Sequence, residues 1–141
     1  MAAYLFKTEP SEFAYGDLPA KGEAVWDGVS NPAALASIRS CKIGDTVYIY
    51  HTGDEKAIVG VAVVVSEPRE DPKKPGLNDR GEPKFAVVGL RATRKLKSPV
   101  TLAAIKSDPA FKDFALVKIG RLSVMPVPTA IEKRLLKMAG E

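Results

Sequence analysis

Residues Ala57–Ser66 read AIVGVAVVVS, a run with no polar face. A segment of this kind predicts a central strand covered on both sides, or a strand that closes a barrel. The rest of the chain must then supply neighbours for its two edges and apolar cover for its two faces. Short strand-like stretches are available: Ala3–Lys7 (AYLFK), Ala24–Trp26, Thr46–His51 (TVYIYH) and Lys84–Leu96, with Arg91 and Lys95 at the same parity. In TVYIYH, Val47, Ile49 and His51 alternate with Tyr48 and Tyr50. Phe114–Val127 also reads as strand, with a bend at Gly120. Between these lie helix signals. Ser11 caps a short turn running to Leu18. Asn31-Pro32 starts a helix that buries Leu35 and Ile38. Thr101 caps LAAIKS. Thr129–Glu132 is a capping-box pattern that opens a last helix carrying Ile131, Leu135 and Leu136, ended by Gly140. Arg69–Pro83 is rich in Pro, Gly and charge and reads as a mobile loop.

Five or six short strands with helices inserted irregularly favour an α+β fold. The expectation is a small mixed β-barrel with short peripheral helices and a C-terminal helix. With 141 residues and no repeat or linker, one domain over residues 1–141 is expected. No run of about 18 apolar residues is present, so no membrane span or membrane partner is expected. The N-terminus lacks a secretory pattern and Cys41 has no cysteine to pair with, which points to the cytoplasm.

The chemical inventory narrows function further. His51 is the sole histidine and Cys41 the sole thiol, so a Cys/His zinc site is ruled out, and no carboxylate spacing suggests another metal. Any nucleophile–histidine pair must use His51, whose neighbours form no nucleophile elbow. Neither GxGxxG nor GxxxxGK[ST] occurs, so no cofactor is expected. Carboxylates such as Glu9, Asp27, Asp45 and Asp54 cannot be paired as acid and base from spacing alone. These readings favour a binding protein over an enzyme. Charge adds to this. Between Arg69 and Lys97 there are nine Lys or Arg against four Asp or Glu, while the chain as a whole carries +4. The excess positive charge therefore sits in one segment, the footprint of a polyanion partner or simply a solvated face. Polar and aromatic residues meanwhile cluster where strands end: KTEPS (Lys7–Ser11), WDGVSN (Trp26–Asn31), YHTG (Tyr50–Gly53) and RLSVMPV (Arg121–Val127). If the fold gathers these ends, they form a concave site with an aromatic wall and a few directed polar groups.

The ordered series KTEP, W-x-GV-x-N, GD and YH, then RLSV-x-PV resembles the EVE domain family of the PUA-like superfamily, over nearly the whole chain. The resemblance implies a PUA-like β-barrel whose pocket reads a modified base, a modified cytosine or a relative of it, in DNA or RNA. Carried over by position, the pocket uses Lys7, Glu9 and Ser11, then Trp26, Val29, Ser30 and Asn31, then His51 and Thr52, then Arg121, Ser123 and Met125. The excess charge of the Arg69–Lys97 segment, read from the sequence itself, makes Lys73, Lys74, Arg80, Lys84, Arg91 and Lys95 the candidates for phosphate contact. Two positions depart from the family pattern. Ser30 stands where arginine is usual, which removes five donors and a fixed charge, and Thr52 stands where serine is usual. Either the ligand differs or Arg39 or another basic residue takes the missing role. Each residue also has a plain structural reading: Trp26 as a core indole, Asn31 as an N-cap, His51 as a core histidine, Lys7 and Glu9 as a surface ion pair, Tyr48 and Tyr50 as packing. The rival functions are an enzyme acting on a nucleotide-like molecule through Glu9 or His51, and a protein-interaction module that uses the basic loop.

Overall fold

The structure, a computed structural model, describes residues 2–141. Its strands are β1 (Ala3–Thr8), β2 (Ala24–Trp26), β3 (Thr46–His51), β4 (Ala57–Val64), the two-residue β5 (Arg69–Glu70), β6 (Ala86–Thr101) and β7 (Val124–Pro126). Its α-helices are α1 (Pro32–Ser40), α2 (Leu102–Ser107), α3 (Ala115–Lys118) and α4 (Thr129–Met138). The apolar run is the central strand β4, antiparallel to β3 on one edge and to β6 on the other. The full order is β2-β6-β4-β3-β1-β7, with β5 added alongside β6. β1 lies parallel to β3 and antiparallel to β7. The mixed sheet curls into a half-barrel, the α+β architecture expected, with six strands on its main path and β5 as an extra short pair. Phe6, Ile49, Ile58, Leu90, Phe111 and Met125 are fully buried. Helix α1 packs against both β6 and β7 and so joins two distant parts of the sheet.

Local chemistry explains most of the elements. Asn31 caps α1 as expected, its Oδ1 accepting from the N–H groups of Ala33 and Ala34 at 2.9 and 3.1 Å. Thr101 Oγ1 caps α2 by accepting from Ala104 N–H at 3.1 Å. Gly140 closes the C-terminal helix, its N–H donating to Lys137 O and that of Glu141 to Leu136 O.

Several expectations are corrected. Ser11 caps no helix; the short 3-10 turn Tyr15–Asp17 is held instead by Asp17 Oδ2 accepting from Ala14 N–H at 2.8 Å. The capping box at Thr129 does not form, because Pro128 is the N-cap and Glu132 accepts from Tyr48 Oη at 2.7 Å. Phe114–Val127 is helix α3 followed by a turn and only three strand residues, since Phe111 and Phe114 anchor a helical connection. Arg69–Pro83 contains β5 and two further bridges, Asp71 to Lys74 and Leu77 to Pro83. Arg91 and Lys95 do not share a face. Ala92 pairs with Ala62 but Arg94 with Val61, so Thr93 is an extra residue in β6. Arg91 therefore opposes Val63 and Lys95 opposes Gly60, three positions apart on a period-two strand.

Gly60 has a second consequence. The Tyr15 ring lies flat against it, so that a Cβ there would meet Tyr15 Cε1 at 2.5 Å. Tyr15 Oη donates to Val61 O at 2.7 Å. The segment between β1 and β2 is thus fastened across the middle of β4.

Candidate functional site

Three of the four polar strand ends converge on one cavity of about 560 Å³. β1 brings Lys7 and Thr8; the segment after it brings Glu9, Glu12 and Phe13. β2 and its connection to α1 contribute Val25 to Asn31, and the approach to β7 contributes Arg121 and Ser123. The chain ends are stitched together here: Lys7 N–H donates to Ser123 O at 2.8 Å and Lys7 Nζ to Gly120 O at 2.9 Å. Thr8 Oγ1 donates to Phe13 O at 2.7 Å, which folds the Glu9–Phe13 segment back over the strand. Gly28, at φ 76°, makes the left-handed turn that carries the chain from Trp26 to the Asn31 cap.

Trp26 stands at the floor. Its ring meets Phe6 edge-on at 5.4 Å between centroids and Phe13 at 5.8 Å. Only 9% of its surface is exposed, and that remnant faces the cavity. The indole is therefore a core residue and a wall residue at once, with Phe13 and Val29 extending the apolar lining.

The polar groups are held in fixed positions. Glu9 Oε1 accepts from Ser11 N–H and Oγ at 3.3 Å each, and Oε2 accepts from Thr52 Oγ1 at 3.2 Å. Gly53, at φ 75°, lets the turn after β3 pass under that carboxylate; a Cβ there would stand 3.0 Å from Oε2. Burial pulls the Lys7 ammonium below its ordinary pKa, and the Tyr50 ring lies 5.7 Å from Nζ, within cation–π range. Arg121 is exposed on the rim. Asn31 spends its oxygen on the helix cap and keeps its amide N–H donors.

Of the candidate residues, Lys7, Glu9, Trp26, Val29, Ser30, Asn31, Arg121 and Ser123 line this cavity. Four do not. Ser11 is exposed and touches it only through Glu9. Thr52 stands behind Glu9 and lines a neighbouring recess. Met125 is fully buried opposite Leu5. His51 is buried, its Nε2 accepting from Tyr15 N–H at 2.9 Å and its Nδ1 lying 3.1 Å from Glu55 Oε1. Both ring nitrogens are thereby engaged within the fold. Arg39 does not fill the role left by Ser30, because its Nη1 donates to Pro83 O and Lys84 O at 3.1 and 3.2 Å and pins the basic loop to α1. Sequence reasoning passed over Thr8, Glu12, Phe13 and Asp27; the aromatic two residues beyond Ser11 and the acid next to Trp26 were the available signals.

The basic segment is partly consumed by the fold. Arg69 pairs with Glu23 at 2.9 Å, Arg94 with Glu141 at 2.8 Å, and Arg91 Nε donates to Gly22 O. Lys73 Nζ lies 4.0 Å from Asp27 Oδ2, which brings the loop to the cavity rim. Lys74 and Lys84 flank the Phe85 ring at 5.1 and 5.7 Å. Arg80 and Lys95 are exposed without an ion pair among the described residues.

Comparison with known proteins gives a consistent set of relatives. The family model of the EVE domain matches residues 2–138. Human thymocyte nuclear protein 1 is 28% identical over 152 aligned positions, covering 88% of this chain and 68% of that protein. The NMR structure of Rpa0253 from Rhodopseudomonas palustris superposes with a TM-score of 0.87 at 39% identity, covering 99% of this chain and 94% of that one. The crystal structure of human THYN1 protein in complex with 5-methylcytosine-containing DNA superposes with a TM-score of 0.88 at 25% identity, covering 100% and 99%. Among the described residues no helix is long and apolar enough to cross a membrane.

Proposed function

The chain belongs to the EVE domain family, and from that premise we propose that it binds nucleic acid and reads a modified base in the cavity beside Trp26. The observation that carries this reading is the composition of the cavity. An aromatic and aliphatic wall faces three carboxylates, an amide and two cations, brought together from three strand ends. Its volume lies within the roughly 300–1,000 Å³ typical of small-ligand sites. A base edge has donors and acceptors that such groups match: Glu9 accepts from an exocyclic amine, while Asn31 and Lys7 donate to ring or carbonyl acceptors. The likeness to a relative crystallised with 5-methylcytosine-containing DNA makes a modified cytosine in DNA the first ligand to try.

The energetics call for phosphate contacts as well. Two or three hydrogen bonds at about 0.5–1.5 kcal/mol each, with partial stacking, hold a free nucleoside only in the high micromolar to millimolar range. Taking a base out of a duplex costs a few kcal/mol more. Lys73, Lys74, Arg80 and Lys84, on the loop that reaches Asp27, are the nearest suppliers of backbone contacts. Arg91 and Lys95, at opposite register parity, do not extend that stripe together. Engagement of His51 with Tyr15 and Glu55, away from the cavity lining, supports binding over a turnover that would use His51 as its acid or base. A cytoplasmic location is part of the same reading and is consistent with the buried free thiol of Cys41.

The lone indole reports on the site. Short oligonucleotides with and without one 5-methylcytosine are titrated at low and moderate salt, with Trp26 emission and fluorescence anisotropy read together. The expected result is salt-sensitive binding with quenching that is stronger for the modified strand. Equal affinity and equal quenching for both strands would remove the reader function, and no binding of either would remove nucleic acid altogether.

A further inference from the structure

A second cavity, of about 220 Å³, also has Lys7 in its wall. Tyr50 and Thr52 at the end of β3, Lys56 before β4, Lys106 of α2 and Leu116 of α3 enclose it. No carboxylate lines it. Three ammonium groups border the recess, and none of them has an ion-pair partner among the described residues. The acids nearest in sequence do not line it: Asp54 and Glu55 line an adjoining recess that shares Lys56 and Lys106 with this one, neither acid is ion-paired to these lysines, and Glu55 is engaged with His51. Lys56 is held in position by its own backbone, whose carbonyl accepts from Leu102 N–H at 2.8 Å. Lys7 spends one N–H on Gly120 O, which leaves two donors. A half-buried, desolvated ammonium is where a counter-charge gains most.

We infer that this second cavity is a phosphate subsite, taking the phosphate of the nucleotide whose base occupies the first cavity, with Lys56 and Lys106 as anion ligands and Lys7 bridging the two recesses. The inference rests on the base-binding reading of the first cavity. Because a single side chain walls both recesses, the two lie within the reach of one nucleotide. The basic loop, which meets the rim at Asp27, serves other phosphates of a strand. Lysine suits this role as a point charge that accepts phosphate from any direction.

The test compares 5-methyl-2′-deoxycytidine, its 5′- and 3′-monophosphates, and a short single-stranded oligonucleotide containing the same base, by calorimetry at low salt. One monophosphate is expected to bind roughly tenfold more tightly than the nucleoside, as a charge-assisted hydrogen bond allows. In the Lys56→Gln/Lys106→Gln double variant that ratio falls to about one, while nucleoside affinity stays within about twofold. Both lysines are exposed, so the variant keeps the fold. A gain for the monophosphate alone marks a free nucleotide as the source of the phosphate; a gain shared by the oligonucleotide marks a strand. Nucleoside binding without any gain from phosphate, or a gain that survives the double variant, overturns the inference and leaves the base-binding reading standing. If nucleoside, nucleotide and oligonucleotide all fail to bind, both fall together.

Discussion

Replacing Gly60 with alanine tests how the wall of the first cavity is held. The new Cβ would stand 2.5 Å from Tyr15 Cε1 and 2.6 Å from Cζ. Carbon atoms rest at about 3.5–4.0 Å, so the ring must retreat by roughly an ångström. Tyr15 Oη is then too far from Val61 O to keep its 2.7 Å hydrogen bond. Overpacking of this kind costs about 1–3 kcal/mol, and the lost hydrogen bond adds about 0.5–1.5 kcal/mol. The expected destabilisation is about 2–4 kcal/mol, or roughly 6–12 °C in Tm for a domain of this size. The perturbation does not stop at the ring. Tyr15 N–H donates to His51, and the segment just before it carries Glu12 and Phe13 into the cavity. Oligonucleotide binding should therefore weaken along with stability. Urea unfolding followed by circular dichroism measures the first effect, and anisotropy the second. The control is the same substitution in a Tyr15→Ala background, where the clash is absent and the added cost should fall below about 1 kcal/mol. An equal cost in both backgrounds, or a cost under about 0.5 kcal/mol in the wild type, would refute the packing argument.

Other outcomes are equally specific. Asn31→Ala removes the cap of α1 and should cost about 1 kcal/mol. Asn31→Asp should restore stability in a denaturant melt without restoring base affinity, since it keeps the accepting oxygen and loses the amide donors; recovery of both would reduce Asn31 to a cap. Cys41 is buried and, with Asp45 adding to the effect of burial, its thiol is pushed up to about 12. An aromatic disulfide reagent at pH 8 should leave the native thiol almost unreacted and titrate it rapidly in urea; fast stoichiometric reaction of the native protein would contradict this. The Asp108 carboxylate is held below its ordinary value of 3.8, first by Ala110 N–H and then by Arg134. A depressed folded pKa gives stability that is present above 3.8 and lost as pH falls through the folded value. Wild type should therefore lose its advantage over Asp108→Asn in melts taken progressively below pH 3.8.

What could be read in the sequence was set by local chemistry. β4, the Asn31 cap and the strand-end polar clusters each follow from a few adjacent residues. Long-range partners decided the remainder. Glu132 resembles a capping residue until Tyr48, 84 positions away, recruits it. Phe114–Lys118 has an apolar pattern that suits strand or helix, and the packing of Phe111 and Phe114 selects helix. Arg91 and Lys95 share parity in sequence, yet one bulged residue in β6 separates their faces. His51 shares a motif with the site but turns toward Tyr15, because that backbone N–H needs a buried acceptor. Trp26 reads in the sequence either as a pocket wall or as a core indole; the edge-on packing against Phe6 and Phe13 that makes it a buried residue of the cavity lining depends on partners remote from it in sequence.

The place of β1 between β3 and β7 has a consequence for how this protein comes into being. Its neighbours are parallel partners some forty residues on and antiparallel partners about 120 residues on. Contacts so remote in sequence carry a high loop-closure entropy and make for slow folding with high contact order. During synthesis, Lys7 and Glu9 emerge early and wait, beside an unpaired strand edge, until Arg121 and Ser123 leave the ribosome. The cavity is thus among the last features to form, and a partly made chain holds most of the sheet while lacking the cavity's far wall. Such a chain also exposes the β7-facing edge of β1 as a template for stray pairing.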